Sequence, residues 1–299
     1  MPFYVSPEQQ MKDKADFARK AITRGRSGVV IDYDAGFLFV SPNPSRALHK
    51  FSELYDRIAF AAAGRYNEFD RLRQAGVRYA DLTGYQYDRQ DVTSRGLANW
   101  YAQVLGTIFI ESNKPLEVEM AIAEVGDTAA DDQIYRITFD GTITEEHHYL
   151  VMGGQADPVA AVLKERYAEG ATLAGAMAVA IAALAAGQGN GAEQTEITAA
   201  SLEVATLDRS RTSHRMFRRL SGPRLEELLA QARASAPASS APAAPADPGN
   251  AGTSPADSGG PANGGTGSGG AGTGGTGSGG AGNGTPEPGS ADSGGSPGQ

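Results

Sequence analysis

Ser6-Pro7-Glu8-Gln9 has the spelling of a capping box with proline at the first helical position, and Met11, Ala15, Ala18 and Ile22 then recur on one stripe at helical spacing. An amphipathic helix over residues 6–22 follows. From Gly28 the period changes to two: Val29, Ile31 and Tyr33 alternate with polar neighbours, Asp34-Ala35-Gly36 turns, and Phe37 to Val40 returns. Pro42 and Pro44 end that hairpin. Ile58 to Ala63 predicts a further strand, closing on Gly64 and passing into a helix from Tyr66 to about Ala75. Leu97, Trp100, Tyr101, Val104, Leu105 and Ile108 then repeat at three and four, giving the widest apolar helical face in the chain.

Strands resume at Glu117 to Val125, and Ile134 to Phe139 is joined to Thr142 onward through Asp140-Gly141, a short antiparallel loop. Tyr149 to Met152 ends at Gly153-Gly154. A second helix pair follows, one stripe formed by Val159, Val162, Leu163 and Tyr167 and the other by Leu173, Met177, Ala180, Ile181 and Leu184. Strands at Ser201 to Leu207 and Met216 to Leu220 precede a short helix opened by Pro223. This order is not the regular alternation that builds a parallel sheet. It predicts an α+β protein in which two antiparallel sheets stack face to face and helix pairs cover their outer faces.

The apolar pattern stops abruptly. From Ser235 to Gln299 the chain has no Val, Ile, Leu, Met, aromatic, Lys or Arg, and its only charges are Asp247, Asp257, Glu287 and Asp292. Such a composition buries too little surface to offset the entropy of ordering it, so residues 235–299 are expected to form a disordered tail. Residues 1–234 remain for the folded part.

A net charge of −9 argues against nucleic acid, because counterion release needs clustered cations; Arg19, Lys20, Arg24 and Arg26 gather where they complement a helix C-terminus. No basic or apolar leader is legible and no apolar stretch is long enough to span a bilayer, so the expectation is a cytoplasmic protein with no membrane partner. With no cysteine in the chain, disulfides and thiolate chemistry are excluded. His147 and His148 are adjacent, and on a strand they would face opposite sides and could not share one ion. No metal or cofactor site is expected. Gly153-Gly154 lacks the further glycines of a dinucleotide loop and reads as a turn. There is no Gly-x-Ser-x-Gly elbow in the folded part, and Gly106-Thr107 and Gly141-Thr142 lie inside elements that cannot become a chain terminus. By composition alone Lys50 is a lone lysine ahead of a strand.

An ordered series of segments changes that reading. Residues 43–50 (NPSRALHK), 53–58 (ELYDRI), 61–69 (AAAGRYNEF), 87–93 (YDRQDVT), 105–109 (LGTIF), 135–141 (YRITFDG) and 151–154 (VMGG) together resemble the α subunits of the actinobacterial 20S proteasome. The resemblance runs from about Phe3 to Arg233. It implies a four-layer αββα sandwich in a cytoplasmic barrel, where seven-membered α rings lie on rings of proteolytic β subunits. It also implies that the first helix lies across the cleft which holds the nucleophile in β subunits. The β-type threonine would fall near Arg26 and Ser27 inside an uncut chain, its aspartate near Ser41-Pro42 where no carboxylate exists, and only its lysine has a counterpart, Lys50. No catalytic residue is therefore assigned. The resemblance gives Lys50 the role of docking the C-terminal carboxylate of a hexameric proteasome-associated AAA ATPase. Met1, Pro2, Phe3, Tyr4 and Val5 would form the gate, without the Tyr-Asp-Arg gate motif of archaeal and eukaryotic relatives. Ile110, Glu111, Ser112 and Asn113 would form the pore constriction, and substrates would be unfolded proteins tagged with the modifier Pup. The alternative left open is a free-standing amidohydrolase of this fold, self-processed at Arg26-Ser27.

Overall fold

A computed structural model describes residues 6–188 and 197–235. The first helix, α1 (Pro7–Thr23), begins where the cap predicts, with the Ser6 hydroxyl accepting from the Gln9 amide at 3.2 Å. Only half of the capping box forms, because the Gln9 side chain turns forward to Asp13 at 2.6 Å. The predicted stripe is also only half buried. Ala18 and Ile22 are in the core while Met11 is exposed, since the first turns of α1 run past the sheets.

Ten strands form two five-stranded antiparallel sheets. In the first sheet, β1 (Gly28–Tyr33) lies between β2 (Gly36–Pro42) and β8 (Tyr149–Met152), and β9 (Leu202–Asp208) and β10 (Phe217–Leu220) extend it beyond β2. The β1–β2 hairpin pairs Val29 with Val40 and Tyr33 with Gly36. The second sheet runs β3 (Phe51–Tyr55), β4 (Ile58–Gly64), β5 (Val118–Glu124), β6 (Gln133–Ile137) and β7 (Ile143–Glu146) in chain order. β6 and β7 close through a loop in which the Gly141 amide donates to the Thr138 carbonyl at 2.9 Å.

Three apolar clusters define the layers. One joins the outer face of the first sheet to α4 (Ala156–Arg166), α5 (Leu173–Ala186) and α6 (Pro223–Ser235). Another joins the second sheet to α2 (Tyr66–Gln86) and α3 (Ser94–Glu111). Between the sheets lies a third, built from Val30, Phe37, Phe39, Phe51, Ala61, Ala123 and Leu150 with Ala18 and Ile22 of α1. The αββα order is the one expected. Because both faces of each sheet are covered, β1 is buried on both: Val30, which the period-two reading of Val29, Ile31 and Tyr33 left on the other face, is as buried as Val29 and Ile31.

Three elements differ from expectation. β3 carries the polar pair Ser52-Glu53 and gave no strand pattern, yet it pairs Phe51 with Ala61 along β4. α2 continues to Gln86 rather than ending near Ala75, because Gly76 is not a stop: a Cβ there would overlap the Tyr101 hydroxyl, which donates to the Leu72 carbonyl at 3.0 Å. α6 includes Ser235, one residue past the compositional boundary. Residues 1–5 and 236–299, where the gate and tail are expected, lie outside the described residues.

Candidate functional site

The residues linking α1 to β1 pass along one end of the sandwich. α1 buries Ala18 and Ile22 against Phe51, Ala61, Ala63 and Met152 at the mouth of the inter-sheet core, and Arg24-Gly25-Arg26-Ser27 then leads without a break into β1. Gly153 and Gly154, between β8 and α4, close over this link at φ +67° and +44°. A Cβ on Gly154 would overlap the Ser27 hydroxyl and backbone, so both the left-handed conformation and the close approach require glycine. The Gly153 amide donates to Glu119 at 3.1 Å. That pair is thus a structural turn, as the sequence indicated, and no open anion cradle.

Three positions far apart in sequence meet under the link. Lys50, just before β3, donates from Nζ to the Arg26 carbonyl at 2.6 Å and to Ser41 Oγ at 3.0 Å. The Ser41 hydroxyl, fully buried in β2, donates to the Ser27 carbonyl at 2.9 Å. These are the places where the resemblance sets a β-type lysine, aspartate and nucleophile. A serine stands where the carboxylate would be, and the peptide that would have to be cut supplies a carbonyl that accepts from the lysine. No general base with a paired acid is assembled, and self-processing at Arg26-Ser27 gains no support from this geometry.

The ammonium of Lys50 is held by neutral oxygens. Burial pushes its pKa down to about 8; Glu203 opposes that shift and Arg26 adds to it. Glu203, in β9, does not bond the ammonium. Its carboxylate instead accepts from the backbone amides of Lys50 at 2.9 Å and Phe51 at 3.2 Å and from the Asn43 side chain at 2.7 Å. Arg219 stands 3.8 Å away. Glu203 therefore fixes the backbone at Lys50 and so aims its side chain. Sequence reasoning did not find Glu203, although its signal was present: a lone acid in the apolar run Leu202-Glu203-Val204-Ala205 must be paired if it is buried.

The other expected positions separate from this cluster. Ile110 and Glu111 end α3 and Ser112 caps it; Ile110 is exposed. Lys14 of α1 donates to the Phe109 and Ile110 carbonyls at 3.2 and 3.5 Å, neutralising that helix C-terminus and tying it to α1. Asn113 borders a cavity of about 490 Å³ with Lys14, Phe17 and Lys114. A larger cavity, about 880 Å³, lies at the opposite end of the sandwich by the β3–β4 turn. There the two Tyr-Asp-Arg triplets of the sequence meet: Arg89 bonds both oxygens of Asp56 at 2.6 Å and sits 5.3 Å over the Tyr55 ring. His147 and His148 follow β7, and His148 contacts Asp32 at 3.1 Å. Among the described residues, no three His, Asp or Glu side chains are grouped to hold a metal, and no helix is long and apolar enough to cross a membrane.

Comparison with known proteins adds a family. The profile of the family described as "Proteasome subunit" matches residues 24–206. "Proteasome subunit alpha" of Thermomonospora curvata is 62% identical over 231 residues, covering 77% of this chain and 98% of the relative. The protein of the same name from Nocardioides sp. is 61% identical over 249 residues, 83% of this chain and 95% of its own. That from Thermobifida fusca is 60% identical over 232 residues, 78% and 92%.

Proposed function

The chain belongs to the proteasome subunit family, as a non-catalytic α subunit of the core particle, and we propose that its work there is to form a gated substrate entrance, to dock an activating ATPase and to template the β rings. The observation that carries this reading is the unbroken α1–β1 link, packed into the inter-sheet mouth with Lys50 bonded to its carbonyl. A proteolytic subunit of this fold needs a free terminus at that place. The compartment consistent with this role is the cytoplasm, the partners are β subunits and further copies of this chain, and the substrates are unfolded, Pup-tagged proteins.

Within residues 1–234, residues 1–5 are the gating tail, followed by the helix of residues 6–22, with residues 235–299 a tail beyond the subunit domain. The exposed Ile110 and its neighbours Glu111, Ser112 and Asn113 form the constriction under the gate of Met1, Pro2, Phe3, Tyr4 and Val5. The Lys14 bonds to the end of α3 support this pairing, because they couple the helix that follows the gate to the constriction. Deleting Met1–Gln9 is expected to speed small-peptide hydrolysis by the reconstituted barrel several-fold; an unchanged rate in a fully assembled particle overturns the gate.

Lys50 is the ATPase-docking residue. Among the described residues its ammonium has only neutral acceptors, so an incoming C-terminal carboxylate supplies the missing counter-charge in a charge-assisted bond. With a pKa of about 8 the free site carries its charge at neutral pH and loses it in alkali, so ATPase stimulation should fall as pH rises through 8. Lys50→Ala is expected to abolish most of the stimulation while sparing small-peptide cleavage. Equal stimulation of variant and parent overturns the docking role.

A further inference from the structure

The two open edges of the sandwich carry opposite charge. Sheet order leaves β10 and β8 at the edges of one sheet and β3 and β7 at the edges of the other, and β7 passes into β8 through only His147-His148, which puts that pair on one side and β10 and β3 on the other. On the first side, the Met216 amide just before β10 donates to the Asp56 carbonyl just after β3 at 2.8 Å, and Arg215 bonds Glu53, so the two edge strands form one surface. A cavity of about 580 Å³ there is lined by Arg73, Arg211, Arg215 and Arg219 with Glu53 and Phe217. Glu53 neutralises Arg215 and Asp70 neutralises Arg73. Arg211 and Arg219, by contrast, donate to the carbonyls of Phe217 and Phe51 at 2.7 and 2.6 Å, which position the guanidinium groups; Arg211 has no ion-pair partner among the described residues, and Arg219 has only a longer contact with Glu203, 3.8 Å. Glu203, buried behind the edge, is the acid nearest Arg219. Arg218 is exposed and has no ion-pair partner among the described residues.

The other side is acidic. β7 ends Glu145-Glu146, and Glu145 is exposed with no ion-pair partner among the described residues. Glu146 shares Arg136 with Glu119, at 2.7 and 2.6 Å, so one cation serves two acids. Asp32 lies behind β8, bonded by Tyr167 at 3.0 Å and His148 at 3.1 Å, and the exposed Glu169 follows in the α4–α5 loop. Lys164 and Arg166 in the last turn of α4 flank Glu165 and complement that helix's own C-terminus.

Charges on edge strands protect a sheet from unwanted pairing, and they do so whatever their sign. Protection alone does not call for arginines on one edge and glutamates on the other. We infer that the arginine-bearing β3–β10 edge of one copy docks on the glutamate-bearing β7–β8 edge of the next, a head-to-tail contact of two different surfaces that closes into the ring. A self-complementary two-fold contact would set like charges against each other on either edge, whereas a heterologous contact satisfies both. This inference rests on reading the chain as a ring subunit.

The test measures assembly of the full-length chain, alone and with its β subunit, by sedimentation velocity and native mass spectrometry at low and high salt. Arg218→Glu and Glu145→Arg are each expected to raise the concentration for half-assembly about tenfold, less so at high salt. The chain carrying both reversals restores complementarity at every junction and should return to within about threefold of the parent. Both positions are exposed, so thermal melts should match the parent, and Arg218→Gln should give an intermediate loss. Single reversals that assemble like the parent, or a double variant worse than either single, overturn the edge assignment while leaving the ring reading intact. If deleting residues 236–299 abolishes the effect of Arg218→Glu, the basic edge takes that acidic segment and the inference also fails. A parent that forms no ring with its β subunit overturns the ring reading itself.

Discussion

The two ends of the sandwich put charged groups to different use. At the α1–β1 end, a buried set of polar groups is held by specific partners: Glu203 accepts from two backbone amides and Asn43, Ser41 donates to the Ser27 carbonyl, and Lys50 donates to the Arg26 carbonyl. At the β3–β4 end, charges are numerous and wet: Arg89 pairs with Asp56 and Arg57 with Asp127, around a cavity of about 880 Å³. Cavity size therefore points away from the residues proposed above to act in docking. Desolvation identifies them better, since it makes a partner obligatory for a buried group and optional for an exposed one.

The comparison is broken most severely at Glu203. Its side chain is 4% exposed, and replacing it with alanine removes the acceptor of the buried Phe51 amide and of the half-buried Lys50 amide and Asn43 side chain. Glu203→Ala is expected to lose about 3 kcal/mol in a urea titration. It should also weaken ATPase stimulation, because the backbone at Lys50 is no longer fixed. Glu203→Gln keeps one acceptor oxygen and should lose roughly half as much. A Glu203→Ala chain as stable as the parent would mean that its partners find solvent, and the contrast between the ends would collapse.

The same contrast explains what the sequence made legible. The β1–β2 hairpin, α3 and the β6–β7 loop could be read because their period and turn residues are local properties. β3 could not, since its strand character comes from pairing with β4, and α2 was cut short because Gly76 signals a stop unless Tyr101 is known to fill the space beside it. At the site, no local pattern links Arg26, Ser41, Lys50 and Glu203. Resemblance supplied the first three; the fourth needed the knowledge that β9 lies beside β2 and is buried on both faces.

Alkaline titration sharpens the comparison from the side of Lys50. Lys50 has a folded pKa of about 8 against an ordinary 10.5, so between those values the unfolded chain binds the extra proton. Stability from this group should accordingly rise with pH from about 8 to 10.5, where most lysines contribute nothing. Lys50→Met, which keeps the length and removes the charge, should erase that rise in a pH series of urea titrations. Ser41→Asp would place a carboxylate beside the ammonium and move its titration upward, with no peptide hydrolysis gained, because the link to α1 stays intact. A rise that persists in Lys50→Met would assign it to another group.

The smallest effect belongs to the opposite end. Arg89 forms the most complete ion pair there, touching both oxygens of Asp56 and lying over Tyr55, and the contact raises the guanidinium pKa further through the Asp56 hydrogen bond. Its side chain is nevertheless 63% exposed, so water and salt compete for everything the pair provides. Arg89→Ala should leave the urea midpoint within error of the parent at moderate salt and shift it downward only at low ionic strength. A loss as large as that of Glu203→Ala would show that bidentate geometry outweighs exposure, and the difference between the two ends would then lie in hydrogen-bond number and not in access to water.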